Sequence, residues 1–274
     1  MGITTPTADL AIPGLPAEQT TTKSTLKLFW LWTLFWWGGV GVLGALFFVG
    51  AMDFVTSTKV SLYGISIWLN GWLLALLFPD QQQSKMNIYH NCLVIWMLSY
   101  AMTNLLWEIP WVIFSPFVFE NLNTIDDVVA NTAYMRESIF NMYWWVLASF
   151  ACVDLRTVNH DPTFFTLEIY SFVNVLSTIY FFYLNKKRSP FRYLVPIIGC
   201  GEPIASTFIF SFTEVFAGFE NMVGGVADTL LALVWTQYQY ILFPIIFGII
   251  GTKLFLEDWR YYQRNGESAV PSYA

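Results

Sequence analysis

The sequence predicts an all-α integral membrane protein, a polytopic bundle of about six to seven transmembrane helices. Three observations lead there. Hydrophobic residues fill 56% of the 274 positions and charged residues only 12%, whereas ordinary soluble domains carry about 25% charged residues. The apolar residues gather into runs of about twenty, long enough at about 1.5 Å per residue to cross a bilayer. Aromatic residues reach 19%, with thirteen Trp, and Trp and Tyr near the run ends fit the interfacial belts of membrane helices.

Taken in order, residues 1–22, rich in Thr, Pro and Ala, read as a disordered tail with no cleavable signal peptide. Pro6 stands where a myristoylation pattern wants Ser or Thr. Residues 23–58 hold a first transmembrane helix built on the Trp-dense run 26–52. Residues 60–78 form a second span. The third run, 88–119, is long, and Pro110 and Pro116 are expected to bend or end it. An acidic loop follows, and then 140–152, apolar but short. The runs 164–184, 193–212 and 227–255 complete six spans, and 257–274 reads as a C-terminal tail.

The short run is placed by charge. If 140–152 does not cross and the other six do, Lys23, Lys27, Lys85, Lys186, Lys187, Arg188, Arg192, Lys253, Arg260 and Arg264 all lie on one side. That is ten of the thirteen Lys and Arg. By the positive-inside rule this side is cytoplasmic, with both termini. The strip 153–161 is then lumenal, and 140–152 lies in the interface or re-enters. The expected location is the endoplasmic reticulum membrane.

The net charge of −6 and the lack of a long basic run argue against nucleic acid. Cys92, Cys152 and Cys200 are scattered, and His90 and His160 are the only imidazoles, so neither a metal nor another cofactor is expected.

Polar residues inside apolar runs are costly and mark candidate sites. Asp161 followed by Pro162 is a good helix N-terminus, and Glu168 lies about 10 Å along the helix it opens. Asn104 and Glu108, four apart, share a helix face. Glu202 sits beside Pro203, where a broken helix can expose backbone to a cavity. Gln237 and Tyr240 share a face of the last run, and Trp107 and Trp111 flank Glu108. The structural alternative for each is a hydrogen bond that holds the bundle together. A carboxyl group in an apolar pocket keeps its proton at neutral pH and can act as a general acid, so Glu108 and Glu168 are the expected catalytic pair. Asn104, Trp107, Trp111, Glu202, Gln237 and Tyr240 are expected to bind substrate, the aromatic faces stabilising a cation. Asp154, Arg156 and Asp161 are expected to be structural, and His160 is assigned no chemistry.

Over residues 60–254 these features resemble the emopamil-binding (EXPERA) family, which includes sterol isomerases and non-catalytic sterol binders. Asp154, Arg156, Asp161 and Glu168 fall without gaps on its Asp-x-Arg…Asp…Glu pattern, and Glu108 falls on the Glu of its His-x-x-x-Glu helix. Asn104 replaces the family histidine, Gln237 its asparagine and Tyr240 its tryptophan; the first helix, 23–58, is extra, and 59–256 would form the family-like domain. The resemblance implies a cofactor-free isomerase that protonates an isoprenoid alkene. The changed partners favour a terpenoid or meroterpenoid cyclase over a sterol double-bond isomerase, with a non-enzymatic sterol or lipid binder as third alternative. The expected partners are a hydrophobic isoprenoid or sterol-like molecule, the lipid bilayer and, as one option, a second copy in a homodimer.

Overall fold

A computed structural model describes residues 20–270 apart from 80–82, 120–121, 139–140 and 225. The expected disordered tail lies, up to residue 19, outside the described residues, and its last three residues already belong to the helix Thr20–Phe48. Among the described residues six helices are long and apolar enough to cross a membrane: Thr25–Phe48, Phe54–Leu77, Lys85–Val118, Pro162–Lys186, Pro190–Phe216 and Val234–Asn265. Their outer faces carry exposed apolar side chains such as Leu34 (71%), Phe117 (87%) and Phe216 (88%). A soluble surface does not tolerate such a belt; lipid tails cover it. The chain is an integral membrane protein, and if all six helices cross, its two ends lie on one side.

The helix ends follow local chemistry. Asp53 opens the second span by accepting the Thr56 N–H (2.9 Å). Ser84 caps the third, and Asp161 caps the fourth through Phe164 N–H (2.7 Å), with Pro162 at the first helical position. The fifth closes at Gly218, whose φ of +70° lets the Phe219 N–H turn back to the Glu214 carbonyl (2.9 Å).

Proline does not end the third span. Its helix runs through Pro110 and Pro116 to Val118, with one wide π turn at Asn104–Glu108. Pro110 has no N–H for the carbonyl four residues back, and its ring would crowd that group. The wide turn makes room, and the freed Leu106 carbonyl accepts the Tyr143 hydroxyl instead. That hydroxyl comes from the segment between the third and fourth spans. There a helix at Ile125–Met135 is followed by a short one at Met142–Leu147 and two 3₁₀ turns, Ser149–Cys152 and Leu155–Thr157. None of these is a candidate span. The segment plugs one end of the bundle, with Trp145, Leu147, Ala148 and Ala151 almost fully buried against Phe47, Phe54 and Trp111. Three indole N–H groups fasten it: Trp107 to the Val146 carbonyl (3.0 Å), Trp111 to the Thr157 carbonyl (2.9 Å) and Trp145 to Ser57 Oγ (3.1 Å).

Two buried arginines tie the ends of the fold together. Arg156 pairs with Asp154 (2.6 Å) and Glu214 (3.0 Å), bonds Thr213 Oγ1 and the Phe210 carbonyl, and lies 4.2 Å over the Phe210 ring. It thus joins the plug to the fifth span. Burial pushes the Asp154 carboxyl above its ordinary value, against the pull of the Arg156 guanidinium. Burial likewise pushes the Cys152 thiol up to about 11, so it stays protonated and unreactive. Arg192 binds Asn185 (2.8 Å), Asp258 (3.3 Å) and Ser268 (2.7 Å). The expected C-terminal tail is ordered through residue 270: helix continues to Asn265, and Ser268 and Val270 fold back into the bundle, both buried.

Candidate functional site

An interior cavity of about 170 Å³ lies where the helix-bundle core meets the plug. All six spans contribute carboxyl, amide, hydroxyl or indole groups to its wall, the fifth through Glu202.

Glu108, Glu168, Glu202, Trp107, Gln237 and Tyr240 all line it. Glu108 sits at the end of the π turn. In a regular helix Glu108 and Tyr100, eight residues apart, would point about 80° away from each other at about 100° per residue. One extra residue in a wide turn reduces the offset to about 20°, and both side chains reach the cavity. Glu168 comes from the last turn of the helix that Asp161 caps. Glu202 comes from the first turn of helix Gly201–Phe216.

The three carboxyl groups are close enough for their charges to act on one another, and among the described residues no Lys, Arg or His lines the cavity. Like charges that share such a site repel one another. Glu202 is the carboxyl with defined donors: its Oε2 accepts from Asn174 Nδ2 (3.1 Å) and Tyr100 Oη (3.3 Å), and Asn174 Nδ2 also donates to Tyr100 Oη (2.9 Å). Aromatic rings form much of the remaining wall. Phe164 meets Trp107 edge-on (6.4 Å) and Phe210 at 5.8 Å, while Tyr240 lies 6.3 Å from Tyr100.

Two residues expected to bind substrate are placed elsewhere. Asn104 is fully buried off the cavity wall, its Nδ2 turned back to the Tyr100 carbonyl (2.7 Å). The amide is too short to leave its own helix, so it props the backbone that carries Tyr100. Trp111 is 2% exposed, with its N–H spent on Thr157 and its ring 4.9 Å from Phe164; it supports the wall from behind. Asp154, Arg156 and Asp161 stand in the frame beneath the site. His160 is exposed at a left-handed turn, φ +61°.

Sequence reasoning passed over Tyr100, Asn174 and the plug residues Trp145, Ser149 and Phe150, which also line the cavity, and Glu214, which pairs with Arg156 away from it. Asn174 was visible as a polar residue within an apolar run. Tyr100 gave no signal, because its alignment with Glu108 exists only across the π turn.

Fold and site together define a helical membrane protein with an aromatic-walled cavity onto which three carboxyl groups converge. No family model, no curated protein and no solved structure matches the chain.

Proposed function

We propose that the protein is a cofactor-independent membrane isomerase, related to the emopamil-binding family, that protonates an alkene or epoxide of a hydrophobic isoprenoid and governs the carbocation. A terpenoid or meroterpenoid cyclase fits best. The observation that carries this reading is the convergence of Glu108, Glu168 and Glu202 on one aromatic-walled cavity that, among the described residues, has no basic side chain.

The chemistry needs little more than such a site. A carboxylic acid, Glu108 or Glu168, gives its proton to the alkene carbon or epoxide oxygen. The π electrons of a second alkene close the ring onto the cation. A carboxylate then takes a proton from a carbon beside the final cation. No atom is gained or lost, so the reaction is an isomerisation. Rings such as Trp107 and Tyr240 stabilise the cation by cation–π attraction, and the plug keeps water from quenching it. The resemblance suggests the endoplasmic reticulum, and the Lys and Arg distribution supports cytoplasmic termini.

Microsomes containing the protein, supplied in D₂O with farnesyl- and geranylgeranyl-derived alkenes and epoxides and with a sterol, test the proposal. Conversion of an alkene should place one deuterium on the protonated carbon, and Glu108→Gln and Glu168→Gln should each slow conversion of alkene or epoxide by about 100-fold or more. Wild-type rates in both variants would refute the acid–base roles. A sterol product with a shifted ring double bond would select the sterol-isomerase alternative, and tight retention of unconverted ligand the binder.

A further inference from the structure

The three cavity carboxyls differ in what surrounds them. Glu202 Oε2 receives two donors, Asn174 Nδ2 at 3.1 Å and the Tyr100 hydroxyl at 3.3 Å, and Asn174 Nδ2 also donates to Tyr100 Oη at 2.9 Å. These groups come from the fifth, fourth and third spans and brace one another in a closed triangle. Donors that converge on a carboxyl oxygen favour its ionised form. Glu108 and Glu168 lack that support: among the described residues, what acts on them is burial and the charge of neighbouring carboxyls. Three carboxylates do not ionise together in one apolar site. The negative charge settles on Glu202, and the protons stay with the other two.

The groups also stand at two levels. Helix Ile109–Val118 packs on Pro162–Glu168 and on the plug helix Met142–Leu147, whereas Lys85–Thr103 packs on Tyr170–Lys186. The third and fourth spans are therefore antiparallel, with Glu108 and Glu168 at the plug end of both. Tyr100 precedes Glu108 and Asn174 follows Glu168, so both displacements point away from the plug, by about 9–12 Å of backbone at 1.5 Å per residue. Tyr240, 6.3 Å from the Tyr100 ring, feels the charge of all three carboxyls and lies within reach of both levels.

We propose that Glu202 is the base that ends the reaction, with Tyr100 and Asn174 as its positioning residues, so that the proton enters at the plug end of the cavity and leaves at the far level. This rests on the proposed isomerase reading and adds a direction to it. The acid O–H bond breaks at Glu108 or Glu168, and the alkene π pair forms the new C–H bond. The cation moves along the chain as rings close. A C–H bond beside the final cation then breaks, its electron pair becomes the product C=C bond, and its proton goes to the Glu202 carboxylate. A proton passes back from Glu202 to the spent acid, and no co-reactant is consumed. A double bond shifted by one position takes on and gives up protons on nearby carbons and has no use for two levels; a polyene that cyclises has.

The test follows product identity in D₂O with the full chain in microsomes and the farnesyl- and geranylgeranyl-derived alkenes as probes. Glu202→Gln keeps an acceptor for Tyr100 and Asn174 but cannot take a proton. Its share of the wild-type alkene should fall by about 10-fold or more, replaced by isomeric alkenes or by alcohols from water capture. These products should still carry deuterium at the first protonated carbon, whereas Glu108→Gln and Glu168→Gln lose conversion itself. Glu202→Asp should restore part of the original alkene. Tyr100→Phe and Asn174→Leu should each lower its share by about 3-fold or more, a change that a merely structural contact would not produce. Infrared spectra of the full chain in lipid nanodiscs need no turnover: Glu202→Gln should remove ionised-carboxylate absorption at neutral pH. Removal of protonated-carboxyl absorption instead, or conversion with an unchanged product set in Glu202→Gln, would overturn the base and leave the enzyme reading standing. No conversion of any probe by the wild type refutes the enzyme reading and the base with it.

Discussion

Replacing Arg156 with Met should damage this fold more than any single change on its surface. The guanidinium neutralises two carboxylates, Asp154 and Glu214, at 2.6 and 3.0 Å, and these are 0% and 1% exposed. Removing one partner of a buried ion pair costs about 3–5 kcal/mol, because the charge left behind has lost both water and its counter-ion. The contact with the Phe210 ring at 4.2 Å adds about 1 kcal/mol. The total is about 4–6 kcal/mol. At roughly 2–4 °C per kcal/mol, the melting temperature should fall by roughly 10–20 °C. The assay is thermal unfolding of the purified protein in detergent, followed by the fluorescence of its thirteen Trp. Charge-neutral replacement of the whole group, Asp154→Asn with Arg156→Met and Glu214→Gln, removes the stranded charges. It should recover at least half of the loss, since buried ion pairs often exchange for neutral groups at little cost. A fall of under 2 °C in the single variant, or no recovery in the triple one, would refute the account of Arg156 as the counter-ion joining the plug to the fifth span.

Two further outcomes follow from local geometry, beside the carboxyl variants above. A Cβ at Gly71 would sit 2.9 Å from Trp32 Cδ1 and 3.1 Å from its Nε1. Gly71→Ala should therefore displace that indole from the Trp68 carbonyl and cost about 1–3 kcal/mol, measured in the same melt. Asp53→Ala should cost about 1 kcal/mol by removing a helix cap. The Thr56 N–H holds the Asp53 carboxyl below its ordinary value, so its contribution is full above the unfolded pKa and fades as pH falls through the lower folded one. The variant should lose that part of the acid-side decline in melting temperature, and an unchanged pH profile would refute the cap.

What the sequence determined by itself was everything that depends on local cost. Runs of about twenty apolar residues can cross a bilayer because helical hydrogen bonds close within the segment. Asp161 with Pro162 starts a helix through groups within three residues of each other. Carboxyls stranded at 108, 168 and 202 stand out because burying any of them is expensive wherever it happens.

Tertiary structure decided which of these groups meet. Tyr100 faces the same hollow as Glu108 because a π turn absorbs one residue before Pro110. Asn104 and Trp111, close to Glu108 in sequence, spend their polar atoms on the Tyr100 and Thr157 carbonyls. Glu214 becomes the second counter-ion of Arg156 from 58 positions away in the numbering, and Glu202 finds Tyr100 and Asn174 on two other spans. Trp37 reaches the cavity because the first helix packs along the second. Residue type and spacing carry the price of burial, but the partner that offsets it arrives from a distant part of the chain, and only packing brings the two together.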